Sequence, residues 1–157
     1  MAGDIRQKER AIVTLTSTGA SLSNGSAGAA GTDFDARAAG NFADDMAAQF
    51  ELTCQWATVT GIVAGAVVAD LYLVPKMDGT NLPDIDATSG ASKLPFAAFV
   101  GSFEAQKTPT AATNARFVSA VVQFNPLLFT AYIINRSGQV ISANWTLKAI
   151  GVQGQYT

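Results

Sequence analysis

The sequence predicts an all-β protein, an antiparallel β-sandwich of jelly-roll-like form with an irregular N-terminal arm. Several short segments alternate apolar and polar residues with a period of two, as half-buried strands do. Glycine, proline and asparagine lie between these segments and favour turns. An apolar pattern of helical period occurs only weakly, near residues 41 to 48, so helix is expected to be scarce.

Residues 1 to 46 are predicted to form the N-terminal arm, and residues 47 to 157 the sandwich domain. The arm has one strand-like segment, residues 11 to 15, followed by small residues from 19 to 40. Ordering a residue costs about 1–2 kcal/mol in backbone entropy, which so few large apolar residues do not offset. The arm is therefore expected to pair as a strand and to lie along a neighbouring subunit. Its candidate oligomer or capsid contacts are Ile12, Val13, Leu15, Phe34 and Phe42.

Six strands are predicted in the sandwich domain. In the first, residues 47 to 56, every second residue from Phe50 to Trp56 is apolar. The second covers residues 67 to 74, with Leu71 facing the core and a mixed outer face on the other side. The remaining strands are expected at residues 96–103, 116–124, 127–135 and 140–150. The last two are predicted to pair as a hairpin through residues 136 to 139.

The longest predicted loop, residues 76 to 93, is acidic. The carboxylate and amide side chains in this loop carry oxygen atoms, the kind of ligand that calcium prefers. Their spacing matches no calcium motif, however, and Asp-Gly and Pro-Asp pairs explain the composition as turns. The sequence therefore predicts no metal site at the four candidate ligands Asp78, Asn81, Asp84 and Asp86.

The residues for catalysis are scarce. The chain has no histidine, which excludes the usual histidine-dependent hydrolase triads and histidine metal sites. Its one cysteine, Cys54, lies in a predicted strand and is interpreted as an inert core residue. A glycosidase-like pair could come only from the carboxylates Glu51, Asp70 and Glu104, which are more simply surface residues. The prediction is a protein that is not an enzyme and needs no cofactor.

The charge pattern argues against nucleic-acid and membrane partners. The net charge is −2, and only 14% of the residues are charged, against about 25% in an average domain.

A surface with so few charged residues is expected to be covered by copies of the same chain, and a homotrimer is predicted. Residues 1 to 104 include all 12 acidic residues, whereas every charged residue from 105 to 157 is basic. A head-to-tail assembly would bring these two regions together.

Three stretches of the sandwich domain carry a resemblance to known proteins: AVVADLYLVPKMDGTN, PFAAFVGSF and FTAYIINRSGQVISANWTLKAI. With them, residues 47 to 157 resemble small structural proteins of tailed bacteriophages, known as virion, head decoration or cement proteins. The resemblance implies a jelly-roll-like sandwich, assembly into homo-oligomers, and attachment to the major capsid protein on the outside of the head. A virion protein made in the host cytoplasm also agrees with a single cysteine and no signal-like segment.

Two other functions fit the same composition. One is a tail- or fibre-associated structural protein, which differs from a cement protein only in where it docks. The other is a glycan-binding β-sandwich module. The glycan module requires Trp56, Tyr72 and Trp145 to cluster on the surface, whereas the tryptophans more simply fill the core.

Overall fold

The computed structural model describes residues 5–9, 11–37, 45–83, 98–125 and 127–156. Within these ranges the chain forms strands and no α-helix, and so contains no helix that could cross a membrane. The strands are β1 (Ile5–Glu9), β2 (Val13–Gly19), β3 (Ala27–Ala29), β4 (Phe34–Asp35), β5 (Asp45–Cys54), β6 (Val67–Pro75), β7 (Phe99–Glu104), β8 (Ala115–Val118), β9 (Val122–Gln123), β10 (Leu128–Asn135) and β11 (Trp145–Tyr156).

These strands form two antiparallel sheets. The first sheet contains β1, β2, β5, β8, β9 and β11, and the second contains β3, β4, β6, β7 and β10. β1 and β2 follow each other along β11, and β8 and β9 follow each other along β5. β3 and β4 line β10 in the same way. Each pair acts as one interrupted edge strand, so each sheet is four strands wide.

The core lies between the two sheets, which confirms the predicted sandwich. Along β5, and along β11 from Trp145 to Ala149, every second side chain is buried, because successive residues of a strand point to opposite faces. Leu71 and Cys54 are both buried in this core, as predicted. Its fully buried large side chains include Leu15, Phe34, Phe50, Leu52, Trp56, Leu71, Phe103, Ile133, Ile141, Trp145 and Leu147.

The prediction of an arm outside the sandwich is wrong for the described part of residues 1 to 46. The segment from 13 to 35 supplies three strands to the two sheets of its own chain, and Leu15 and Phe34 are core residues. Few apolar anchors suffice because the sheets already present edges whose backbone groups these strands satisfy. The small residues have a packing role too, since a Cβ atom at Gly19 would overlap the indole of Trp145.

The predicted hairpin between the last two strands is also wrong. β10 belongs to the second sheet and β11 to the first, so the chain crosses the sandwich between them. Ile141 is buried at the crossing and forms bridges with Leu22 and Trp56. Positive φ angles of 76° at Gly138 and 68° at Asn144 turn the backbone on either side. A buried apolar residue in the connection thus separates two strands that are close in sequence.

A buried polar network shapes this connection. The side-chain Nδ2 of Asn135 donates to the carbonyls of Leu22, at 2.8 Å, and Gln139, at 2.7 Å. Its Oδ1 accepts from the Ser137 amide, at 2.9 Å, and hydroxyl, at 2.7 Å. The Trp56 indole donates to the same hydroxyl at 3.0 Å. The Asn-Arg-Ser-Gly motif therefore has a structural role in tying the crossing to both sheets.

Candidate interaction site

The predicted contact residues of the N-terminal segment do not form one surface. Ile12 is 61% exposed, whereas Val13 is half-buried against the core. Leu15 and Phe34 are fully buried, so their assignment as contact residues is wrong. Phe42 lies outside the described residues. Of the five, Ile12 alone is shown to be available to a partner.

Ile12 lies on the outer side of the first sheet, at the rim of a shallow depression of about 250 Å³. We call this surface the open face. Three strands present it in register, since Lys148 of β11 lies beside Glu51 of β5, which lies beside Val118 of β8. Val118 is 57% exposed, although it is a large apolar residue in a strand. The open face comprises Ile12, Gln49, Glu51, Arg116, Val118, Lys148 and Ile150.

The electrostatics of the open face are weak. Lys148 Nζ is 3.9 Å from Glu51 Oε1, and both side chains are about one-third exposed. A solvent-screened pair at that distance contributes roughly 0–1 kcal/mol. Arg116 also lines the depression, so the open face combines apolar contact area with a small positive charge.

The outer side of the second sheet differs, because side chains from neighbouring segments pack on it. Tyr72, Val74, Tyr132 and Ile134 form a second buried cluster with Ala98, and Leu82 and Ala27 pack against it. The predicted mixed outer face of β6 is therefore largely buried. An apolar sheet face covered by its own chain has little area left for a partner.

Two ion pairs flank this covered cluster. Lys76 Nζ lies 2.7 Å from Asp33 Oδ2, and the Thr130 hydroxyl donates to Asp33 Oδ1 at 2.6 Å. Partial burial alone would raise the pKa of Asp33, but the hydrogen bonds from Lys76 and Thr130 and the lysine charge lower it below its ordinary value. Arg136 Nε is similarly 2.6 Å from Asp70 Oδ2. Both pairs fix connections to the edges of the second sheet.

The three candidate catalytic carboxylates do not share one strand pair. Glu51 lies on the first sheet, whereas Asp70 of β6 and Glu104 of β7 lie on paired strands of the second. Asp70 accepts hydrogen bonds from the Ser102 hydroxyl, at 2.7 Å, and from Arg136 Nε, at 2.6 Å, so its carboxylate is already engaged in the sheet.

Burial raises the pKa of the Cys54 thiol to about 12, which keeps it protonated. No cluster of three acidic or cysteine side chains that could hold a metal occurs in the described part of the chain.

The described part of the acidic loop is a turn. Asp78 Oδ1 accepts from the backbone amides of Thr80, at 2.8 Å, and Asn81, at 2.7 Å. These bonds and one from the Asn81 side chain lower the pKa of Asp78 to about 2. The carboxylate is thus occupied in the turn that the Asp-Gly pair predicted. Asp84 and Asp86 lie outside the described residues.

The three aromatic rings of the glycan alternative are all buried. Trp56 donates to Ser137, and the Trp145 indole donates to the Ala20 carbonyl at 2.8 Å. Tyr72 packs edge-on against Phe99, with ring centroids 5.4 Å apart. The predicted core positions of both tryptophans are confirmed.

Comparison with known proteins adds no assignment. No protein-family model matches the chain. No curated protein is significantly similar to it. The surfaces of the molecule are therefore the evidence for its function.

Sequence reasoning missed Val118 and Ile150 as surface residues. Because side chains alternate along a strand, Val118 within residues 116 to 124 could have been placed on the face of the sheet that the buried Phe117 does not occupy. The pattern does not indicate which sheet remains uncovered, because that depends on how the loops pack.

Proposed function

We propose that this protein is a virion structural protein that decorates the outside of a phage head, binds the major capsid protein, and assembles with copies of itself. The observation that carries the proposal is the open face, where Ile12 and Val118 are 61% and 57% exposed around a depression. The corresponding face of the second sheet is largely buried, although Phe99 on β7 is 40% exposed beside Tyr72. An exposed, partly apolar face on a sparsely charged domain is typical of a surface that a partner covers.

We also infer a jelly-roll topology from the order of the strands. Counting each interrupted edge strand as one gives eight strands in two four-stranded sheets. In chain order they lie in the first, second, first, second, second, first, second and first sheet. Eight strands that alternate between two sheets in this manner are typical of jelly rolls, which occur in viral capsid domains. This topology supports the resemblance to phage structural proteins.

The decoration mechanism needs no covalent chemistry. A protein that binds the assembled shell but not its separated subunits stabilises the shell by mass action. Stable interfaces bury about 800 Å² on each partner, more than the open face's exposed side chains supply alone. We therefore propose a homotrimer whose copies meet through the open face together with adjacent edges, and whose other surfaces, each repeated three times, contact the capsid, so that losing the trimer also weakens capsid binding.

The test is co-sedimentation of the full chain with phage heads stripped of their accessory proteins. The heads should come from the phage that encodes the chain. Wild-type protein is expected to pellet with heads and raise the temperature at which they release DNA. Val118→Asp should lose binding, because it places a charge in the apolar contact.

A matched control is Val140→Asp, since Val140 is 54% exposed but lies in the β10–β11 connection, away from the open face. This variant should bind as the wild type does. If the protein binds purified tails instead of heads, the tail-associated alternative is correct. Failure to bind either particle would refute the structural role.

A further inference from the structure

The basic side chains are unevenly paired. From residue 11 onward, six lysine and arginine side chains lie within the described part of the chain, and four of them make ion pairs. The pairs are Arg37–Asp35, Lys76–Asp33, Arg136–Asp70 and Lys148–Glu51. Lys107 and Arg116 make no ion pair with any described residue, and both line the same pocket. Two uncompensated cations therefore converge at one place on a chain that is acidic overall.

We call this place the basic pocket. It has a volume of about 470 Å³ and lies between the β7–β8 loop and the start of β8. No carboxylate lies among its lining residues, and amide and hydroxyl side chains accompany the two cations. The polar lining consists of Gln106, Lys107, Thr110, Thr113, Asn114 and Arg116. Arg116 also borders the open face, whereas Lys107 belongs to the basic pocket alone.

The loop that forms the pocket wall is held in an unusual backbone conformation. Ala112 has a φ of 54°, in the left-handed region that residues with a Cβ avoid. Its amide donates to the Trp56 carbonyl at 2.7 Å, which anchors the loop to the core. At the other end, the Ala105 amide donates to the Ala66 carbonyl at 2.9 Å. Backbone outliers held in place by their surroundings are concentrated at binding sites.

We propose that the basic pocket binds the oxyanion group of a small polar ligand, either free phosphate or the carboxylate of an acidic sugar. Lys107 and Arg116 supply charge-assisted hydrogen bonds to the oxyanion, and a guanidinium matches its planar or tetrahedral oxygens. The amide and hydroxyl side chains donate to and accept from hydroxyl groups on the same ligand. Recognition here depends on charge and hydrogen bonds, and so does not require the buried aromatic rings. The proposal is independent of the decoration role.

The test is a titration of the ¹⁵N-labelled full chain followed by amide chemical shifts. The probes are sodium phosphate, sodium glucuronate and, as the neutral counterpart, glucose, all at constant ionic strength. Phosphate or glucuronate should produce saturable shifts centred on residues 106 to 117, and glucose should produce none. Tighter binding of glucuronate identifies an acidic sugar as the source, and tighter binding of phosphate identifies the free anion.

Matched charge variants locate the site. Lys107→Gln should weaken binding at least about tenfold, because a lost charge-assisted hydrogen bond exceeds the energy of one decade in affinity. Arg37→Gln also removes one positive charge, but from a side chain that is paired with Asp35 and lines neither the basic pocket nor the open face, and it should leave the affinity unchanged. Equal effects of the two variants, equal binding of glucose, or shifts that do not saturate would each overturn the proposal.

Discussion

The buried amide of Asn135 offers the sharpest test of how the sandwich is held together. Asn135→Ala removes a side chain that is fully buried and makes four hydrogen bonds. The Leu22 carbonyl still accepts from the Ile141 amide and the Gln139 carbonyl from the Ser137 hydroxyl, whereas the Ser137 amide loses its acceptor. Leaving one buried amide unsatisfied costs about 1–3 kcal/mol and losing each of the two bonds to the carbonyls costs about 0.5–1.5 kcal/mol, so the predicted loss is at least about 2 kcal/mol. That is a large share of a domain stability of about 5–15 kcal/mol.

Urea denaturation measures this loss directly. Trp56 hydrogen-bonds to the same network, so tryptophan fluorescence reports its unfolding. With a denaturant slope of about 2 kcal/mol per molar, the midpoint should fall by at least about 1 M urea. Asn125→Ala is the control, because Asn125 is exposed and makes no side-chain hydrogen bond with the described residues. A midpoint shift for Asn135→Ala as small as the control's would refute the assigned role of the network.

Three further predictions concern the core and its edges. Leu71→Ala should lower the free energy of unfolding by about 2–5 kcal/mol, whereas Cys54→Ala, which deletes only one buried atom, should cost clearly less in the same urea titration. Gly19→Ala should destabilise the fold by about 1–3 kcal/mol, since the added Cβ collides with the Trp145 indole; a thermal midpoint equal to that of wild type would contradict this packing. Because the folded-state pKa of Asp33 is lowered, its ion pair stabilises the fold above the ordinary value of 3.8, and this contribution is lost as the pH falls through the lowered pKa. Asp33→Asn should therefore be less stable than wild type at pH 7, by a margin that shrinks as the pH falls below 3.8, and a difference that does not change with pH would exclude this linkage.

The sequence predicts the central strands well because their burial follows the period of two. β5 and β6 lie within about two residues of their expected positions, and the burial of Leu71 and Cys54 follows from the same pattern. These strands have neighbours on both sides, so their side chains alternate or are apolar throughout. Local pattern and tertiary structure agree in this part of the chain.

The short edge strands could not be predicted in the same way. β3 consists of alanine and glycine, which carry no periodic signal. Its strand conformation depends on pairing with β10 and on the room that Gly28 leaves for Trp145 and Leu22. Nor does periodicity indicate which sheet a strand joins, so β10 and β11 were expected to form a hairpin. The open face was missed for the same reason, since its exposure depends on the packing of loops elsewhere.

Sedimentation velocity of the full chain at micromolar concentration tests the central claim, that the open face is an assembly surface. The proposal predicts an oligomer, with the mass of a trimer, for wild type and for Val140→Asp. Val118→Asp should sediment as a folded monomer with an unchanged circular dichroism spectrum. A stable wild-type monomer, or a Val118→Asp variant that assembles as the wild type does, would contradict the claim.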